Sequence, residues 1–191
     1  MIKVVRGARA RLLESGRGLM LSRGFCGTSI NDLLHLSAVS RGSFYYHFKS
    51  KEEFGLELLV ESYEDCFSGL KHVSQAMSVE ECYARFVRWM GLVEAGSREK
   101  LRLIALLNAE VDRLPERLRI VLVQKHEEVI NALASCVEST IMRIGRVEGD
   151  AYRLAHFLFG LWMGVAVLEG VQGGIVRPEL NLLSLTSVLL E

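Results

Sequence analysis

The chain has 191 residues, half of them hydrophobic, with only 2 prolines and a formal net charge of zero. That is enough apolar material for a sizeable core, and so little proline suits long helices. Four widely spaced cysteines (Cys26, Cys66, Cys82, Cys136) without a CxxC pair argue against a disulfide scaffold, and the first residues lack the apolar run of a secretory signal, so a cytoplasmic protein with reduced thiols is expected.

The charge is unevenly placed. Residues 1–53 carry 9 Lys/Arg against 4 Asp/Glu, a net +5 that the remainder of the neutral chain must balance with −5. A basic head on an acidic body points the head towards a polyanion. Val5, Ala8, Leu12, Leu19 and Met20 recur at helical spacing, and Gly24 after Arg23 predicts a stop in a left-handed conformation. Phe25 is placed to fold back on that helix. Ser29 with Asp32 forms a capping-box pattern that opens a second short helix carrying Ile30, Leu33 and Leu34. After a tight connection at Ser37–Ala38–Val39, Ser40 caps a third helix whose inner face holds Phe44 and Phe48, four residues apart. Ser50 and Glu53 repeat the capping pattern and open a helix through Phe54, Leu58, Leu59, Tyr63 and Phe67. Three short helices, the last two joined by about three residues, have helix-turn-helix geometry.

The rest of the chain reads as helix throughout. Apolar residues at helical spacing occupy 79–95, a further helix spans 98–113, and a long one runs from Pro115 to about Ile144. Asp150 opens another to about Val171, and Pro178 starts the last, to Leu190. Leu154–Leu168 is the most apolar run, too short to cross a bilayer comfortably, and is expected to be a buried helix. No sustained period-two alternation signals strands. The expected class is all-α: a three-helix head at residues 1–50 and a larger helical body at 51–191.

The third helix carries the chemistry. With Phe44 and Phe48 inward, Arg41, Ser43, Tyr45, Tyr46 and His47 spread over the other faces, suiting a surface that touches phosphates and base edges. Arg41 can reach a guanine edge or a phosphate. Gly42 lets the backbone approach closely. Ser43 and Tyr45 can donate hydrogen bonds, and Tyr46 and His47 can hold phosphates. Lys51 lies at the positive end of the next helix, where both can share one phosphate.

The run Val39–Ser40–Arg41–Gly42–Ser43–Phe44–Tyr45–Tyr46–His47–Phe48–Lys49–Ser50–Lys51–Glu52–Glu53–Phe54, with Gly24–Phe25 and Thr28–Ser29 before it, resembles the N-terminal domain of the TetR family of bacterial repressors. The resemblance covers about residues 5–55. It implies a homodimer that holds double-stranded operator DNA and is released by a small-molecule inducer. It places DNA contacts on Ser40, Arg41, Gly42, Ser43, Tyr45, Tyr46, His47 and Lys51. Leu33–Leu34 and Ser37–Ala38 depart from the usual pattern, and Ala38 would be strained if its φ is positive.

In the body, Trp89, Met90 and Asn108 are candidate ligand contacts, fitting an apolar pocket with one or two polar groups. Leu158, Gly160, Leu161, Gly164, Val165, Leu168, Leu182 and Leu185 are candidates for a four-helix dimer interface. The stretch Ala109–Glu116 also resembles a subgroup of repressors that sense electrophiles or oxidants, but Leu101–Arg102 stands where that subgroup has its reactive cysteine. Thiol sensing would then fall to Cys66, Cys82 or Cys136. Another alternative is a helical small-molecule binder without DNA binding. No phosphate loop, HExxH, GxSxG or clustered metal ligands occur, so no enzyme, cofactor or metal is expected.

Overall fold

A computed structural model describes residues 7–70, 73, 81, 97–144 and 151–171. Among them are α1 (Ala8–Arg23), α2 (Ile30–Ser37), α3 (Arg41–His47), α4 (Lys51–Phe67), α5 (Arg98–Ala109), α6 (Glu116–Ile144) and α7 (Ala151–Val171). A 3₁₀ turn at Val111–Arg113 joins α5 to α6. No strand occurs among the described residues. The helices expected at 79–95 and 178–190 lie outside them.

The short helices start where the sequence signals them. Ser29 Oγ accepts from Asp32 N–H at 3.1 Å, and the Asp32 carboxylate accepts from Ser29 N–H at 3.1 Å, closing the capping box of α2. Ser40 Oγ accepts from Ser43 N–H at 3.2 Å and caps α3. Ser50 caps α4 by accepting from Glu53 N–H at 3.1 Å, but Glu53 reaches one residue further back, to Lys49 N–H at 2.6 Å. The reciprocal half of that box therefore secures the α3–α4 corner.

Gly24 has the expected positive φ, but its ψ is extended rather than left-handed (φ 73°, ψ 173°). That combination is essentially glycine-only. The turn bends away from α1, and the Phe25 ring goes under α4 at Gly55. Ala38 does adopt the left-handed conformation, at φ 50° and ψ 45°. It is the single non-glycine residue with positive φ among those described.

The buried apolar residues form one cluster. It begins with Leu12 and Met20 of α1, passes through Leu33, Phe44, Phe48 and Phe54, and continues along α4 into α5, α6 and α7. Phe48 and Phe54 meet edge to face with ring centroids 5.0 Å apart, so the end of α3 is pinned to the start of α4. Ion pairs Arg9–Glu57 and Arg17–Glu61 tie α1 to α4, and Lys100–Asp65 ties α5 to α4. α4 thus belongs to head and body at once.

Candidate nucleic-acid interface

α3 separates its residues as the sequence predicts. Phe44 and Phe48 are fully buried, Tyr45 is 46% exposed and Tyr46 85% exposed. Arg41 and Gly42 are exposed, and Ser43 and His47 half-buried. Tyr46 and His47 sit edge to face at 5.0 Å, and Tyr45 stands edge-on to Phe44 at 5.3 Å. The outward rings are thus held in place by contacts on their own helix. Tyr45 and Tyr46 are the rings that α3 presents to solvent.

Gly42 lies where a Cβ would meet nothing within 4 Å. Among the described residues no packing calls for glycine there. Ser40's hydroxyl oxygen is occupied as a cap acceptor, which leaves its hydrogen for an outside acceptor. Arg41 Nη2 donates to Asn31 Oδ1 at 2.6 Å, so the guanidinium is held against α2. Lys51 Nζ rests 4.4 Å from the centroid of the Phe25 ring.

Arg41 and Lys51 share an open groove with Cys26, Gly27, Thr28, Ser29, Ile30 and Asn31. Two cations and the N-terminal end of α2 face one concavity, an arrangement suited to a phosphate. Sequence reasoning missed Asn31 and the α2 end. The signal was present, because the Ser29 cap fixes where the N–H groups of α2 point. The Asp32 carboxyl is held below its usual value chiefly by the Ser29 side chain and backbone, with Arg23 assisting. The excess of positive charge in the head is also narrower than composition suggests. Arg9 and Arg17 face carboxylates of α4, and Arg23 lies 3.8 Å from Asp32.

The body candidates are less concentrated. Trp89 and Met90 lie outside the described residues. Asn108 is half-buried and donates from Nδ2 to Ile104 O at 2.9 Å. It stands beside Tyr63, whose phenol is pushed well above its ordinary value, first by burial. A cavity of about 150 Å³ opens between α4 and α6, lined by Tyr63, Phe67, Leu70, Val129 and Ala132, with Glu64, Ser68, Lys125 and Glu128 also contributing. Asn108 is not among its lining residues. Deeper in, Phe67 stacks on Trp162 at 6.3 Å, and His126 stands edge-on to Phe159 at 4.6 Å. Burial and the neighbouring His156 hold the His126 imidazole below its usual value.

Of the candidate sensor thiols, Cys66 and Cys136 are buried, and Cys82 lies outside the described residues. Burial pushes the Cys66 thiol up to about 12, which leaves almost no thiolate at neutral pH. No group of three or more potential metal ligands occurs among the described residues.

α7 is the one described helix long and apolar enough to cross a membrane by length and composition. It packs on α5 and α6, and Ala155, Leu158, Phe159, Trp162 and Ala166 are buried along it. Within one protomer the helix is not buried on every side. Phe157 is 55% and Leu168 54% exposed, with Gly160 and Gly164 open beside them. Leu158, a candidate for pairing, is only 6% exposed within the protomer. Leu161 is half-buried. The side chain of Val165, and Leu182 and Leu185 altogether, lie outside the described residues.

Residues 12–58 match the model of the bacterial regulatory proteins of the tetR family. Over 158 residues the chain is 27% identical to the HTH-type transcriptional repressor DhaR of Mycobacterium sp. strain GP1, covering 82% of this chain and 79% of DhaR. Over 165 residues it is 29% identical to the HTH-type transcriptional repressor NemR of Escherichia coli K12, covering 82% and 80%. The crystal structure of reduced E. coli NemR superimposes with a TM-score of 0.67 at 27% identity, over 87% of this chain and 88% of that one. A TetR/AcrR family regulator superimposes with 0.74 at 25% identity, over 96% and 98%.

Proposed function

The chain belongs to the tetR family of bacterial regulatory proteins, and from that premise we propose that it is a repressor whose two copies grip a palindromic operator and let go when a small molecule enters the body. The observation that carries the reading is the outward face of α3. Tyr45, Tyr46 and the pre-held Arg41 stand in water around an unobstructed Gly42, while Phe44 and Phe48 anchor the helix from beneath.

In this reading Arg41, Ser43 and Tyr45 address base edges. Ser40, Tyr46, His47 and Lys51, with the start of α2, hold phosphates and fix the register. Residues 1–50, joined by Lys51 at the first turn of the body, supply the DNA contact, and 51–191 hold the ligand and pair the subunits. The apolar face of α7 at Phe157, Gly160, Gly164 and Leu168 is the surface on which a second copy would sit. The aromatic interior around Tyr63, Phe67 and Trp162 suits a mainly apolar inducer. The ligand releases DNA only by the difference in its affinity for the two states. The protein acts by binding, in the cytoplasm, and performs no catalysis.

Selection of duplexes from random DNA by the purified protein tests this. A symmetric site is expected, with half-site centres about 34–36 Å apart, or a multiple of that. On the recovered duplex, Lys51→Ala weakens binding across sequences and lowers the salt slope by about one. Tyr45→Ala weakens binding with less effect on the slope. Enrichment of no symmetric sequence, or full affinity in both variants, refutes the reading.

A further inference from the structure

The head and body meet through one carboxylate. α5 ends at Ala109, and the next residue, Glu110, is fixed by its own backbone. Its N–H donates to Leu106 O at 3.1 Å and Leu107 O at 3.2 Å, and its carbonyl accepts from Arg113 N–H at 2.8 Å. The side chain reaches across 85 residues of sequence to the turn between α1 and α2. There Oε2 accepts from Phe25 N–H at 2.8 Å and from Cys26 N–H at 3.3 Å. Charge-assisted bonds to backbone N–H groups are the strong kind.

Three further observations converge on this place. Gly24 brings its backbone so near that a Cβ would stand 2.0 Å from Glu110 Oε1. Cys26 Sγ donates to Arg113 O at 3.6 Å, a second link from the same turn to the same corner of the body. The Phe25 ring is clamped under α4, where a Cβ on Gly55 would lie 2.5 Å from it, and that ring carries Lys51 above it. The turn runs straight on into Ser29 and the open end of α2, so the groove holding Arg41 and Lys51 is built on it.

We propose that Glu110 is a positioning residue: from the body it acts as a surrogate cap for the α1–α2 turn, and so sets where the α2 end, Lys51 and α3 stand relative to DNA. The inference rests on the DNA-binding reading above. It adds a route from the body interior to the head. Asn108, two residues before Glu110, stands beside the buried Tyr63, so a shift of the α5 end on ligand entry is delivered to the turn by the carboxylate. The head is then steered from two places, α4 and the α5 corner.

The test compares Glu110→Ala and Glu110→Gln with the parent protein. Amide hydrogen exchange at Phe25 and Cys26 is measured alongside affinity for the selected duplex at several salt concentrations. In Glu110→Ala, exchange at those two amides rises on the order of tenfold or more, with α6 and α7 unchanged. Duplex affinity falls about tenfold at an unaltered salt slope, because no phosphate contact is removed. Glu110→Gln keeps an acceptor oxygen and stays within about threefold of the parent. Unchanged exchange at Phe25 and Cys26 overturns the proposal. So does equal acceleration throughout the protein, or full affinity despite faster exchange. Should selection yield no duplex, the repressor reading fails by itself, and the exchange data still decide whether the cap exists.

Discussion

Replacing Gly42 by alanine should move stability and DNA affinity in opposite directions. Alanine is favoured over glycine inside a helix by about 0.8–1.0 kcal/mol, and Gly42 occupies the first turn of α3, so roughly half of that is expected. The new methyl meets nothing within 4 Å, so no clash offsets the gain. Urea unfolding should therefore shift the midpoint upward by an amount equivalent to about 0.5 kcal/mol, with the slope unchanged. On DNA the same methyl stands between backbone and duplex. Loss of one close contact weakens binding by about tenfold, the equivalent of about 1.4 kcal/mol. Fluorescence anisotropy on the selected duplex reads the second effect. A variant that is more stable and binds as well as the parent refutes the close backbone approach. One that is less stable shows that Gly42 serves packing instead.

Other consequences are equally direct. Ala38→Gly relieves a left-handed alanine that costs about 1–2 kcal/mol, against about 0.5–1 kcal/mol of extra chain entropy. Since Ala38 is exposed and no packing is lost, a small net gain in unfolding free energy is expected, and a loss would show that the methyl makes a needed contact. Asp32 has a folded-state pKa below its ordinary 3.8, so its contribution is full above that value and disappears as pH falls through the folded pKa. Asp32→Asn should accordingly flatten the acid limb of stability against pH, and an unaltered limb would contradict the assignment. Exposed Cys26 should react with a thiol reagent at neutral pH well before buried Cys66 does, as mass-mapped time courses would show, and labelling of Cys66 first would contradict its burial.

Much of the head was legible because its signals are local. A Ser–x–x–Asp cap, two phenylalanines four apart and a Ser–x–x–Glu start each act within one turn of helix, and all three appear where the sequence places them. Long-range pairing escaped the reading. Nothing near Phe25 announces that its amide is met by Glu110, and nothing near Arg9 or Arg17 announces their partners on α4. The excess of basic residues in the head consequently overstated the charge directed at DNA. Hydrophobicity alone also could not tell which face of α7 serves the protomer's own core, so Leu158 and Phe157 looked alike in sequence although one is buried and the other is not.

α4, Lys51–Phe67, is 17 residues long, or about 25 Å at 1.5 Å per residue. With its Phe67 end packed among the aromatic rings of the body, in the proposed dimer it would serve as a lever arm with Lys51 at the tip. A tilt of about five degrees carries that tip roughly 2 Å, and mirrored tilts in two subunits change the gap between their reading helices by up to about 4 Å. Against a duplex whose successive major grooves are about 34 Å apart, so small an angle is enough to spoil the fit of both heads at once.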